Sequence, residues 1–277
     1  MTTALRVAYL GPPGTNSEVA AIRCAPDAEH VAYPTIPQVI RAVETGDAAE
    51  AVVAIENSLQ GSVTDTVDML IRDDGLLVTG ELVLDIEHCL MVQPGASVSE
   101  VDVIYSHPQS LGQCRDYLEQ RFPRVRTEAA LSNAAAVEQM MRTPRSAAIA
   151  PERAAELYGA QVAERNIAGA QINRTRFVVL GPEETRPTGH DKTSIAFAVA
   201  HDRPGTLVSV LHEFSDRAIN LTKIESRPSR EELGVYIFLI DIEGHREDPL
   251  IEQALAAVRE QADFFKIFGS YPAWQPE

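Results

Sequence analysis

The sequence has no apolar run of about 18 residues or more, the length that a membrane-crossing helix needs, and this excludes a helical span. Its first residues, MTTALRVAYLG, have no basic segment leading into a long apolar one, which argues against a secretory leader. Cysteine is scarce: Cys24, Cys89 and Cys114 are far apart and odd in number. That argues against a disulfide framework or a zinc site and suits a reducing cytoplasm. The seven histidines form neither HExxH nor H-x-H, so no metal is implied. His88 and His107 fall near strand ends, where a lone histidine is more often structural than a ligand. No G-x-S-x-G elbow supports a hydrolase triad. Positive charge is also short, with 24 Lys and Arg against 40 Asp and Glu and a net charge of −16. Such a surface repels nucleic acid, and no basic patch interleaved with aromatics offsets it. It repels anionic metabolites too, so an anionic substrate would need helix N-termini or a few placed arginines.

What is present is a chain of 277 residues with 45% hydrophobic content, enough for two domains and a sizeable core. Through residue 181, short apolar runs alternate with helical patterns, which predicts α/β layering with largely parallel sheets. Strands are expected at 6–11, 30–34, 48–56, 101–106, near Val125, at 146–150 and at 177–180. Helices are expected at 18–25, 36–46, 64–72, 110–122, 133–142 and 151–159. The run LLVTGELVLDIEHCLMV (76–92) reads as one long strand that crosses between two lobes, with a cleft between them. Residues 182–191, PEETRPTGHD, are polar and aperiodic and read as a linker. Residues 192–277 then give the order βαββαβ, with Asp202 as the expected N-cap of the first helix and Asp248-Pro249 opening the second. Such a unit exposes a sheet edge and often pairs with a copy of itself.

GPPGTN (11–16) begins like a phosphate-binding loop, but Gly14 is followed by Thr15, Asn16 and Ser17 instead of Lys and Ser/Thr, which rejects nucleotide binding. Several strand-to-helix junctions carry more polar residues than a turn requires. Thr15-x-x-Glu18 and Ser106-x-x-Gln109 have capping-box spacing, and Glu56-Asn57-Ser58 and Ser132-Asn133 occupy similar places. Each alone reads as an N-cap. Together they suggest backbone donors converging on a cleft at the carboxyl ends of the strands, where open α/β folds bind ligands. Glu56, directly after AVVAI, is either a cap or a proton donor of raised pKa. In NRTRFVVLG (173–181), Phe177 and the valines anchor a buried strand behind a polar entrance. Thr175 there is either an ordinary strand former or a functional hydroxyl. Arg176 is either a rim ion pair or a carboxylate clamp.

The segments YLGPPGTNSEVA (9–20), IENSLQGSV (55–63), SHPQSLGQC (106–114), SNAAA (132–136) and NRTRF (173–177) resemble, in that order, those of prephenate dehydratases. GTLV (205–208) and NLTKIESRP (220–228) resemble the motifs of an ACT regulatory domain. The resemblance implies a two-lobed, periplasmic-binding-protein-like (type II) catalytic region over 1–181 and a βαββαβ ACT domain over 192–277. It implies conversion of prephenate to phenylpyruvate, carbon dioxide and water, without a cofactor. Thr175 would hydrogen-bond the leaving hydroxyl, and Glu56 would assist, in its protonated form beside a dianion. Asn57, Ser58, Ser106, Gln113, Asn173, Arg176, Phe177 and Thr15 would contact substrate or shape the site. Phenylalanine would bind between the ACT domains of two chains, at Gly205, Leu207, Val208, Asn220, Leu221, Glu225, Ser226, Arg227 and Pro228. The alternative for the last segment is an edge strand that Pro228 merely ends.

Three positions depart from the family pattern: Asn16 stands for an aromatic, Ala54 for Pro, and Thr206 for Ala. The first would alter the cleft wall or helix packing, and the last effector affinity. Neighbouring readings are an arogenate dehydratase, a prephenate decarboxylase that does not aromatise, and a non-catalytic amino-acid sensor. A homodimer and a homotetramer are both compatible with the sequence.

Overall fold

In the computed structural model, Ala51, Val52 and Val53 have no exposed surface, as expected of a strand with helices on both faces. The structure describes residues 5–72, 75–169, 172–199, 204–229 and 235–276. The chain divides into two compact units, Met1–Thr66 with Leu82–Phe177, and Val67–Glu81 with Val178–Glu277. The segment Val67–Glu81, inside the stretch expected to be catalytic, thus groups with the second unit.

The strands of the first sheet are β1 (Arg6–Leu10), β2 (Glu29–Tyr33), β3 (Glu50–Asn57), β4 (Gly61–Ser62), β5 (Leu77–Asp85) and β11 (Arg174–Gly181), in the order β2-β1-β3-β11-β5 with β4 on β3. β1 runs parallel to β2 and β3, while β4 turns back on β3. Helices α1 (Asn16–Cys24), α2 (Ile36–Glu44) and α3 (Thr64–Arg72) fill the connections. In α2 the Thr35 side chain caps the Gln38 N–H, and Ile36, Val39, Ile40 and Val43 form the buried stripe.

The second sheet holds β6 (Cys89–Val92), β7 (Val103–Ser106), β8 (Arg126–Ala129), β9 (Ser146–Ala150) and β10 (Gln161–Glu164), ordered β10-β6-β9-β7-β8. It is mixed: β7 is parallel to β8 and β9, and β6 is antiparallel to β9 and β10. Its helices are α4 (Pro108–Gln113), α5 (Arg115–Arg121), α6 (Asn133–Arg142) and α7 (Glu152–Tyr158). Strand alternation sorts the core into two clusters, with Met91, Tyr105 and Ala148 in one and Leu90, Ile104 and Ile149 in the other. The helix expected over 110–122 is two, α4 and α5, meeting at Cys114.

Residues 76–92 form two strands in two sheets, β5 and β6, so the crossing is Ile86–His88 and not a continuous strand. Residues 165–169 and 172–173 belong to the return passage. The two passages are tied together by Ile86 N–H to the Asn173 carbonyl, 2.7 Å, and Ile167 N–H to the His88 carbonyl, 2.9 Å.

The second unit contains the antiparallel sheet β13-β14-β12-β15, built from β12 (Asp191–Ala198), β13 (Leu221–Pro228), β14 (Tyr236–Glu243) and β15 (Phe264–Pro272). Helices α8 (Thr206–Ser215) and α9 (Pro249–Gln261) supply Val210, Phe214, Ile251, Leu255 and Val258 to a core shared with Ile195, Phe197, Ile240 and Ile242. Asp202, the expected N-cap, lies outside the described residues, and Gly205 occupies that position with φ +92°, a conformation that favours glycine. The stretch expected as a linker ends in an ordered turn, in which Asp191 accepts hydrogen bonds from the Thr188 N–H and hydroxyl and from the Gly189 N–H.

Candidate active site

At the carboxyl end of β3, the Asn57 amide nitrogen lies 2.9 Å from Thr175 Oγ1 and 2.9 Å from Asn173 Oδ1. Its orientation follows from the main chain: the Leu59 N–H points at Asn57 Oδ1, 3.0 Å away, and a peptide N–H only donates. The nitrogen therefore faces Thr175, and Thr175 accepts. Among the described residues the Thr175 proton has no acceptor of its own. The chain of bonds continues through Asn173 Nδ2 to Gln113 Oε1, 3.1 Å, and Gln113 Oε1 meets His88 Nε2 at 2.6 Å. Asn57, Asn173 and Thr175 are all buried, at 9%, 6% and 9% exposure, so this polar group is costly unless its bonds are made.

Glu56 and Arg176 form a different pair, with Arg176 Nη2 3.2 Å from Glu56 Oε2. Successive strand residues point to opposite faces, so Glu56 and Arg176 lie across the sheet from Asn57 and Thr175. The hydrogen bond to the Thr175 hydroxyl thus comes from Asn57, while Glu56, expected to assist Thr175, pairs with Arg176. Ser58 ties β3 to the strand entrance, accepting from Arg174 N–H at 2.9 Å and donating to the Ile172 carbonyl at 3.2 Å. Phe177 is 2% exposed and serves the core beneath Thr175.

Ser106 is not the cap of α4. His107 holds that place, its Nδ1 accepting the Gln109 N–H, because Ser106 is still the last residue of β7. The Ser106 hydroxyl lies 2.7 Å from the Ile149 carbonyl and 3.1 Å from Asn133 Oδ1. Asn133 Oδ1 also accepts from Ser110 and from the His107 N–H. Helix α4 connects this cluster to Gln113. Thr15 caps α1 weakly, Oγ1 to Glu18 N at 3.4 Å, but Glu18 does not close the box on Thr15. Its carboxylate takes the Gly14 N–H at 2.8 Å and Arg153 Nε at 3.0 Å. The reason is proximity: a side chain on Gly14 would meet Ala154 Cα at 3.3 Å and Ala134 Cβ at 3.4 Å, so this turn sits against α6 and α7. Asn16 begins α1, and the Ala54 carbonyl accepts the Thr66 hydroxyl at 2.6 Å.

Sequence reasoning missed Arg153 and His88 as neighbours of these groups. Arg153 carried no signal, since its partner is 135 positions away. His88 carried a faint one, an imidazole inside an apolar run.

In the second unit, Gly205 and Thr206 open α8, followed by half-buried Leu207 and exposed Val208. β13 is an edge strand of alternating exposure. Ser226 is exposed, Leu221 and Glu225 are partly buried, and Glu225 pairs with Lys223 at 3.2 Å. Asn220 Nδ2 bonds Glu243 at 2.9 Å, and Arg227 pairs with Asp68 of α3. Pro228 does not end the pairing: it sits opposite Tyr236, and Ser229 N–H still reaches the Val235 carbonyl at 2.9 Å.

Comparison with known proteins adds the family. The family model "prephenate dehydratase" matches residues 7–185, and "ACT domain" matches 193–260. The bifunctional chorismate mutase/prephenate dehydratase of Stutzerimonas stutzeri is 41% identical over 275 residues, spanning 97% of this chain and 73% of that protein. The crystal structure of a prephenate dehydratase from Arthrobacter aurescens, in complex with L-Phe, superposes with a TM-score of 0.89 at 31% identity, covering 97% of this chain and 90% of the other. GqqA, described as a novel type of quorum quenching acylase, gives a TM-score of 0.87 at 31% identity, covering 97% and 98%. With ordered motifs, both lobes and a matching regulatory domain, the chain belongs to the prephenate dehydratase family and carries a C-terminal ACT domain.

Proposed function

We propose that this protein converts prephenate to phenylpyruvate, carbon dioxide and water, and that Thr175 supplies the hydrogen bond to the departing hydroxyl. The observation that carries this is the donor–acceptor order at Thr175. Because Asn57 donates to its oxygen, the Thr175 proton is directed away from Asn57, and the same bond makes the hydroxyl a better donor. In prephenate the ring carboxylate leaves as CO2. Its bonding electrons pass through the ring and expel hydroxide from the opposite carbon, which takes up one proton and departs as water. Aromatisation drives the step, so the protein has to orient a dianion and stabilise a departing hydroxide. The N-terminus of α6, which begins at Asn133, offers backbone donors to a carboxylate, and Ser106 holds Asn133 in place.

Purified protein with prephenate yields phenylpyruvate on this reading, and mass spectrometry of the product separates the alternatives. Turnover of the amino analogue in preference to prephenate would make it an arogenate dehydratase. A product that keeps the hydroxyl would make it a decarboxylase. Fold alone does not choose among activities, and the likeness to GqqA makes an N-acyl amide the appropriate control substrate. Binding of phenylalanine without consumption of any of these would leave a sensor.

The same proposal includes feedback by L-phenylalanine, bound between paired ACT domains along β13 and the start of α8, in a cytoplasmic homodimer or homotetramer. Phenylalanine would act by binding more tightly to a less active state. Prephenate turnover with and without phenylalanine tests the regulation, and analytical ultracentrifugation fixes the number of chains.

A further inference from the structure

The bonded chain that ends at Thr175 begins at His88. This residue lies on the first passage between the two sheets, is 2% exposed, and has no part in the steps described above. Its Nε2 is 2.6 Å from Gln113 Oε1, and among the described residues its buried Nδ1 has no hydrogen-bond partner.

The direction of every link can be worked out from one fixed donor. Leu59 N–H requires Asn57 Oδ1 to face it, so Asn57 Nδ2 faces Asn173 and Thr175. Asn173 must then present Oδ1 to Asn57 and Nδ2 to Gln113. Gln113 must present Oε1, and that oxygen can only be met by a donor, which makes His88 an Nε2–H imidazole. Reversing the Gln113 amide would bring its NH2 against that of Asn173, two donors with no acceptor between them. Among the described residues His88 is thus the second donor on Gln113 Oε1, beside Asn173 Nδ2, and the shorter of the two bonds. Burial pushes the imidazole pKa down, although the Gln113 hydrogen bond opposes this, so the neutral form is the favoured one.

We infer that His88 is a positioning residue for the dehydration: as a second donor it holds Gln113 Oε1 in place and, through Asn173 and Asn57, steadies the position from which Thr175 offers its proton. The inference rests on the proposed prephenate chemistry for its catalytic consequence, but its geometry stands apart from that reading.

The test is a pair of variants in the full-length protein. His88→Leu removes the donor at similar volume. His88→Gln returns an N–H the same number of bonds from the backbone. His88→Leu is expected to lower kcat by up to about a hundredfold, the scale of a misplaced catalytic group, with KM little changed. His88→Gln is expected to recover most of that loss. In 15N spectra, the Asn57 and Asn173 side-chain amide signals should move in His88→Leu and return towards wild type in His88→Gln. Wild-type kcat in His88→Leu, or equal losses in both variants with unmoved amide signals, overturns the inference. Should the wild-type protein leave prephenate unchanged, the proposed function falls, and the amide signals alone then decide the role of His88. If His88→Leu does not fold, His88→Gln decides: near-normal kcat with retained amide positions supports the inference, and displaced amides overturn it.

Discussion

Asn57 donates to Thr175: the 2.9 Å bond between Nδ2 and Oγ1 has a fixed direction because the Leu59 N–H occupies the other end of the Asn57 amide. A hydroxyl held in this way has its proton directed away from Asn57, and on the proposed chemistry that proton goes to the leaving hydroxyl. Thr175→Ala should therefore lower kcat by about 10²–10⁴, the range of a positioned proton donor, with a much smaller change in KM. Thr175→Ser, which keeps the hydroxyl but loses the methyl group that restricts its rotamer, should fall between the two. Steady-state kinetics with prephenate checks both, and wild-type turnover by Thr175→Ala would remove Thr175 from the chemistry.

The Glu56–Arg176 pair predicts the opposite behaviour for Glu56. If Glu56 served as the proton donor, Glu56→Gln would cost about 10² or more in kcat. Paired with Arg176 at 3.2 Å, it instead tempers a cation near the strand entrance. Glu56→Gln should leave both kcat and KM within about threefold, because Glu56 and Arg176 lie on the face of the sheet opposite Thr175. A collapse of kcat with unchanged KM would restore the proton-donor role.

Asp191 sets an acid limit on the second unit. Burial alone would raise its pKa, but hydrogen bonds from the Thr188 hydroxyl and N–H and the Gly189 N–H lower it further than burial raises it, and His245 adds to the lowering. A carboxyl held below its unfolded value, about 3.9, stabilises the fold fully above that value. The stabilisation is lost as pH falls through it towards the folded pKa. Urea unfolding followed from pH 6 down should thus show a loss below about pH 4 that is shallower in Asp191→Asn.

Gly269 meets Val78 too closely for any side chain. A Cβ there would lie inside the van der Waals radius of the Val78 carbonyl oxygen and 2.9 Å from its nitrogen, both backbone atoms that cannot turn aside. Gly269→Ala should destabilise the second unit by more than about 3 kcal/mol. Gly112→Ala is the control: it sits in α4 with nothing within 4 Å of the added Cβ, so the melting temperature should hold or rise slightly.

Much of this architecture was legible because period and burial agree. Residues 36–44, with Ile36, Val39, Ile40 and Val43 inward, could hardly be anything but an amphipathic helix. The run 76–92 was misleading for a physical reason. Periodicity reports burial, and β5 and β6 are both buried strands, so nothing in the apolar pattern marks Ile86–His88 as the place where the chain changes sheets. Short beds such as β4 and β10 lack the length to show a period at all. Within the site, Asn57, Gln113, Asn173 and Thr175 are joined by hydrogen bonds, but strand parity divides the motif residues: adjacent Glu56 and Asn57 serve opposite faces. Capping-box spacing at Ser106 was real yet misplaced by one residue, because β7 runs on through Ser106 and His107 takes over the cap.

The Leu59 N–H has an evolutionary consequence. Amides can rotate end for end and a hydroxyl can spin, so a row of Asn, Gln and Thr side chains has no inherent polarity. Here the polarity is written in a main-chain atom, at a half-buried position whose side chain is not part of the row. Drift at position 59 can exchange leucine for almost any residue and leave the orientation of Thr175 intact. Proline is the exception, because it deletes the one atom that tells the others which way to point.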